Sequence, residues 1–210
     1  MTPPAAAELA GFTHRWIPCE GATRSLLLLH GTGGNETDLL SLGEMIDPTA
    51  SLLSPRGQVL EHGMPRFFRR LAEGVFDLDD LRIRTEALAT FIGEASAHYG
   101  FAIDSVVAVG FSNGANIAAS VMLQRPEALR AGILLRAMLP FEPQVLPGLH
   151  AHRALLLSSA NDPIVPVAQP ERLAELLRSG GADVTLEWVP GGHQLTRADL
   201  THAQRWLARP

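Results

Sequence analysis

Short runs of consecutive apolar residues recur along the chain, separated by longer stretches whose apolar positions fall three and four apart. "SLLLLHG" (25–31), "ASLLS" (50–54), "SVVAVG" (105–110), "GILLR" (132–136) and "RALLLSS" (153–159) are apolar on successive positions. Strands covered on both faces read this way, so these runs predict a parallel sheet. "DLDDLRIRTEALATFIGEASAHYG" (77–100) puts Leu81, Leu88, Phe91, Ile92 and Ala95 on one helical stripe, with Arg82 and Glu86 expected as a solvent-side pair. "PERLAELLRSGG" (170–181) predicts a second crossover helix, with Pro170 near its start, Leu173, Leu176 and Leu177 on one face and Gly180 as its stop. "DVTLEWVPGG" (183–192) alternates instead, which predicts a strand nearer the sheet edge. Thr196 and Asp199 are spaced as a capping box for a last helix with Leu200, Ala203 and Leu207 inward. "FTHRWIPC" (12–19) predicts an N-terminal strand, and residues 1–10 are expected to be frayed.

Strands alternating with helices over the whole length, without internal repeat or low-complexity tract, predict a doubly wound α/β domain with a mostly parallel sheet flanked by helices. At 210 residues the chain fits one such domain, 1–210, with no room for a large cap domain. The stretch 55–71, "PRGQVLEHGMPRFFRRL", lacks clear periodicity and is expected to form a small rim or partial lid.

Composition narrows the function classes. A net charge of −5, with 17 Lys+Arg and no basic run longer than Arg69-Arg70, offers no electrostatic footprint for a phosphate backbone, so nucleic acid is excluded as a partner. Cys19 is the only cysteine, so no intrachain disulfide can form and an oxidising compartment is not implied. The opening "MTPPAAAELAGF" lacks the basic and apolar regions of a signal peptide, and no apolar run reaches the ~18 residues of a membrane span. A soluble cytoplasmic protein is expected, with self-association as a homodimer left open.

The chemistry concentrates around "VVAVGFSNGANIAASVML" (106–123), where a buried strand breaks at Gly110-Phe111-Ser112-Asn113-Gly114 and a helix starts at once. Ligands of such sheets collect at the carboxyl ends of the strands, where Ser112 lies. A tight, strained turn there displays a nucleophile, and the flanking glycines remove Cβ atoms that would collide with neighbouring chain. The helix behind it points its amide end at the place where negative charge would develop.

A serine hydroxyl needs a base, and the base needs an orienting partner. "LLLSSANDPIVP" puts Asp162 just past a buried strand, and "WVPGGHQLT" puts His193 just past the next. The order Ser, Asp, His is the one a hydrolase sheet imposes, with Asp162 holding the Nδ1 proton of His193 and Nε2 facing Ser112. An aspartate before Pro163 also serves as a turn device. After the first central strand, "HGTGGNETDLL" allows a turn whose amide at Thr32 can pair with that of Asn113 as an oxyanion hole, and His30 is expected to brace that loop. His14, His98, His150, His152 and His202 are read as solvated, and "HAH" (150–152) lacks the further ligands of a metal site, so no metal or cofactor is expected.

Together, "HGTGGNETDLL", "LSPRGQVL", "FDLDDLRIRTEAL", "GFSNGANIA", "NDPIVP" and "GGHQL" resemble the α/β-hydrolase superfamily. Within it they are similar to the phospholipase/carboxylesterase group, and especially to its branch of bacterial hydrolases linked to hydroquinone and quinone tolerance. The resemblance implies the same roles: Ser112 as nucleophile, Asp162 and His193 as its partners, Thr32 and Asn113 as oxyanion donors. Many members have glutamine where this chain has Asn113; the backbone amide stabilises the oxyanion, so the reaction should survive. Met138, Leu139 and Phe141 in "RAMLPFEP" follow a strand end and would either wall an apolar acyl or aryl pocket or serve as packing. Arg56 either anchors the rim through an ion pair or meets a polar substrate group. The expected function is a serine carboxylesterase acting through an acyl-enzyme on small, fairly apolar esters. A thioesterase or lysophospholipase with the same triad, and a non-catalytic binder of aromatic ligands, are the alternatives.

Overall fold

The apolar runs pair side by side at the centre of one sheet, in a computed structural model that describes residues 5–209. In chain order the first half comprises β1 (Ala7–Leu9), β2 (Phe12–Ile17), β3 (Ser25–Leu29), α1 (Leu40–Ile46), β4 (Ser51–Pro55), β5 (Val59–Glu61), β6 (Met64–Arg66), β7 (Arg70–Ala72) and β8 (Val75–Phe76). The second half comprises α2 (Leu78–Tyr99), β9 (Val106–Phe111), α3 (Asn113–Gln124), β10 (Ala131–Leu135), β11 (Arg153–Ser158), α4 (Ala168–Ser179), β12 (Asp183–Trp188) and α5 (Arg197–Leu207).

Eight strands form the main sheet in the order β1-β2-β4-β3-β9-β10-β11-β12. The pairs β1/β2 and β2/β4 are antiparallel and the others parallel, giving the mostly parallel, doubly wound α/β sheet the pattern predicts. The chain builds outward from β3 to β4, crosses back over β3 to β9, and then builds outward the other way to β12. A reversal of this kind opens a crevice at the carboxyl ends of its two central strands. Here those ends are in register, Leu29 opposite Gly110, so the loop after β3 emerges beside the turn after β9.

Each covered strand divides its residues between two cores, because successive side chains point to opposite faces. Leu27, Leu29, Ala108, Leu134 and Leu156 pack with α2, α3 and α4. Leu26, Leu28, Val109, Ile133 and Leu155 pack with α1 and α5 on the other face. The helix α3 lies innermost, buried from Asn113 through Leu123. As expected, β12 is the edge strand, Gly180 follows the end of α4, and the Thr196/Asp199 capping box starts α5. Among the described residues no helix is long and apolar enough to cross a membrane.

Three expectations fail. Residues 1–10 are not all frayed: Ala7–Leu9 pairs antiparallel with β2 through a two-residue turn at Ala10 (φ 48°) and Gly11 (φ 76°), the left-handed geometry that tight hairpins need. Residues 1–4 lie outside the described part. Arg82 and Glu86 do not pair; Arg82 reaches back to Asp79 at 3.3 Å, while Glu86 faces α3 and meets Gln124 (2.7 Å) and Arg125. His14 and His152 are buried, not solvated. Packing of β2 against α2 encloses His14, whose Nε2 lies 2.6 Å from the Tyr99 hydroxyl, and His152 Nε2 donates to Pro126 O at 2.8 Å.

Candidate active site

Ser112 stands between β9 and α3 with φ 51° and ψ −112°, a backbone conformation that costs an L-residue about 1–3 kcal/mol. Two hydrogen bonds hold it: its N–H donates to Leu135 O at 2.8 Å, and its carbonyl accepts from Asn116 N–H at 3.0 Å. The glycines of the turn are set by contact as well. A Cβ at Gly114 would stand 1.9 Å from Leu29 O, and one at Gly110 would stand 2.6 Å from Gly114 O. The first turn of α3 can therefore press against the end of β3 only with glycine there.

His193 Nε2 lies 3.0 Å from Ser112 Oγ, and His193 Nδ1 lies 2.8 Å from Asp162 Oδ2. The three side chains come from the carboxyl ends of β9, β11 and β12. Asp162 is also the turn device its place before Pro163 suggests: its Oδ1 accepts from Ile164 N–H (2.8 Å) and Val165 N–H (3.1 Å), leaving Oδ2 for the imidazole. Its side chain is 1% exposed, so that hydrogen bond is shielded from water.

The loop carrying His193 is held by a residue the sequence reading passed over. Arg136 follows β10 with φ 57° and is fully buried. Its Nε donates to Gly192 O (2.9 Å) and its Nη2 to Gln194 O (3.0 Å), the carbonyls on either side of His193. The remaining donors reach Leu157 O and both oxygens of Asp199, at 2.7 and 3.0 Å. Asp199 in turn accepts from Thr196 at the start of α5. The only sequence signal was an arginine closing the apolar run "GILLR".

Opposite His193, the loop after β3 brings Thr32 to the same cleft as Asn113. Among the described residues neither backbone N–H donates to a protein acceptor, leaving both free for a ligand. His30 braces this loop as expected. Its Nε2 accepts from Gly57 N–H at 2.9 Å, so Nδ1 carries the proton and donates to Gly31 O at 2.6 Å. Burial holds its pKa below the ordinary imidazole value. The Asn113 side chain accepts from Phe67 N–H at 2.7 Å and so ties the rim to the serine turn.

The model of the phospholipase/carboxylesterase family matches residues 17–209 of this chain. The chain belongs to that family. The hydrolase MhqD of Bacillus subtilis (strain 168) is 49% identical over 181 residues, 86% of this chain and 90% of that protein. The crystal structure of the Bacillus cereus carboxylesterase is 46% identical over 93% of this chain and 92% of its own, with a TM-score of 0.91. A carboxylesterase from Mesorhizobium loti is 32% identical over the full length of both chains, also with a TM-score of 0.91. The architecture is thus the α/β-hydrolase fold, and the family makes the chain an esterase-type hydrolase.

Within this family frame, the cleft over Ser112 measures about 310 Å³. Phe76, Phe111, Met138 and Ile164 give it an apolar side, and Arg66, Arg70 and Glu73 a charged one. The 55–71 segment and the residues to Phe76 form the expected rim, as two small two-stranded ribbons, β5/β6 and β7/β8. Of the three expected pocket residues only Met138 lines the cleft. Leu139 packs against the core instead, its N–H donating to Gln169 Oε1 at 3.2 Å, and Phe141 lies in a separate depression with Leu123 and Gln124. Arg56 is the anchor rather than the substrate contact: it grips Glu36 at 2.6 and 2.8 Å, which holds the Glu36 carboxyl below the usual carboxylate range. Cys19 lines a different depression, with Trp16 and Tyr99.

Proposed function

We propose that this chain is a serine carboxylesterase acting through a covalent acyl-enzyme on short carboxylic esters. One observation carries the reading: a strained Ser112, its hydroxyl 3.0 Å from an imidazole that is itself 2.8 Å from a buried carboxylate, at the switch point of the sheet. Ser112 Oγ attacks the ester carbonyl while His193 Nε2 takes its proton, and Asp162 accepts the Nδ1–H and balances the imidazolium that forms. The Thr32 and Asn113 N–H groups receive the oxyanion. His193 then protonates the departing alkoxide, and the same relay activates a water that hydrolyses the acyl-enzyme. A cleft of about 310 Å³, at the small end of ligand pockets, favours short substrates.

The test is Ser112→Ala, which removes the hydroxyl and leaves the turn glycines in place. Turnover of a short aryl ester should fall on the order of 10⁴-fold or more, and a fluorophosphonate probe should label the parent chain and not the variant. A folded Ser112→Ala protein with near-parental turnover would eliminate the assignment.

A further inference from the structure

We propose that the cleft selects esters whose acyl chain ends in a carboxylate, held by Arg66 and Arg70. This rests on the esterase reading above and names its substrate class. Arg66 closes β6 with its side chain 4% exposed, and its Nη1 donates to Thr32 Oγ1 at 2.5 Å, on the residue whose amide faces the reacting carbonyl. Its Nε donates to Phe68 O at 3.2 Å. Arg70 opens β7 at the same cleft and directs Nε and Nη2 at Glu61, at 2.8 to 3.1 Å. Glu61 also lies 3.2 Å from Arg66 Nε, so one carboxylate serves two guanidinium groups.

Arg66 Nη2 and Arg70 Nη1 carry no protein hydrogen bond among the described residues. Glu73, at the exposed turn between β7 and β8, lines the outer part of the same cleft. Buried beside Thr32, the Arg66 guanidinium shares the one carboxylate bonded to it among the described residues, that of Glu61, with Arg70. Burial first, and the neighbouring Arg70 after it, hold the Arg66 pKa below the ordinary guanidinium value. A ligand carboxylate would accept from both free donors, and a guanidinium group is the side chain best shaped to bind it. The apolar side, at Phe76, Phe111, Met138 and Ile164, takes the hydrocarbon part of the ester. Because Arg66 is bonded to Thr32, the carboxylate recognised must lie a short chain away from the ester carbonyl.

The experiment compares 4-nitrophenyl valerate with the mono-4-nitrophenyl ester of glutaric acid, which differ by a terminal carboxylate in place of a methyl. The parent chain should favour the anionic ester in kcat/KM by about tenfold or more at low salt. Arg70→Gln should bring that ratio close to one, Glu61→Gln should raise it, and added salt should lower it. A parental ratio at or below one, or a ratio that Arg70→Gln leaves unchanged, would overturn the inference. Failure of the underlying reading looks different: neither ester would be turned over and the fluorophosphonate would not label Ser112.

Discussion

Ser112 and Gly114 are two residues whose identities are set by opposite constraints. Ser112 is held at a positive φ although it carries a side chain, whereas Gly114 must carry none because α3 starts in contact with the end of β3. Gly114→Ala adds one methyl group at 1.9 Å from Leu29 O, with Leu29 C and His30 O close behind, so every atom it meets is main chain. The variant is expected to lose about 2–4 kcal/mol of stability, more than an ordinary small-to-large change, since the strain falls on main chain and not on adaptable side chains. Urea denaturation reads the stability and ester turnover reads the geometry, and both should fall together. A Gly114→Ala chain with parental midpoint and turnover would show that α3 does not need its close approach to β3.

The loop between β12 and α5 shows how an element is placed by one buried side chain. Arg136 spends every guanidinium donor there: two on the carbonyls flanking His193, one on Leu157 O and two on the Asp199 carboxylate. Lysine keeps the charge but has no planar fork, so Arg136→Lys should leave some of these carbonyls unpaired and let the imidazole drift. A misplacement of this kind costs about 10²-fold in kcat, with KM changing little because the cleft walls are untouched. Asp199→Asn removes the charge that neutralises Arg136 and should cost about 3–5 kcal/mol, with both side chains almost wholly buried. Kinetics well below the unfolding midpoint separate the two effects. Equal falls in kcat and rises in KM for Arg136→Lys would mean that the clamp shapes the cleft and not the imidazole.

Across the whole molecule, pH acts first through His30. Its folded pKa lies below the ordinary value of about 6.5, because the ring is buried and its Nε2 already accepts from Gly57 N–H. Below about pH 6.5 the unfolded chain therefore binds a proton that the folded chain refuses. Stability is full above that pH and declines as pH falls toward the folded pKa of His30. Further down, below the ordinary values of about 4.5 for Glu36 and 3.8 for Asp47, both add to the loss, since the Arg56 hydrogen bond holds the Glu36 carboxyl down and the Thr49 hydrogen bonds, with Arg24 beside them, outweigh burial at Asp47. Thermal unfolding across about pH 2 to 8 should thus show two acid stages. His30→Gln is expected to abolish the upper stage alone, and an unchanged upper stage in that variant would assign it to another group.

The division between what was legible and what was not follows the kind of force involved. Apolar burial is non-directional and accumulates over a run of residues, so five covered strands, the edge strand β12 and the helices α2, α4 and α5 could be read from periodicity alone. Turn chemistry is local too, which made Ser112, Asp162 and His193 visible as residues waiting at strand ends. Hydrogen bonds are directional and join particular atoms, and here the partners lie far apart in the chain. Arg136 meets its acceptors 56 to 63 residues on, at Gly192, Gln194 and Asp199, and His14 meets Tyr99 after 85. Nothing in the local pattern of "GILLR" or "FTHRWI" distinguishes a buried, fully bonded polar side chain from a solvated one. The sequence by itself determined the covered strands, the helices α2 to α5 and the places of Ser112, Asp162 and His193 at strand ends. Only the folding of distant loops onto one another decided which arginine holds His193, which arginines line the cleft, and that Leu139 and Phe141 point elsewhere.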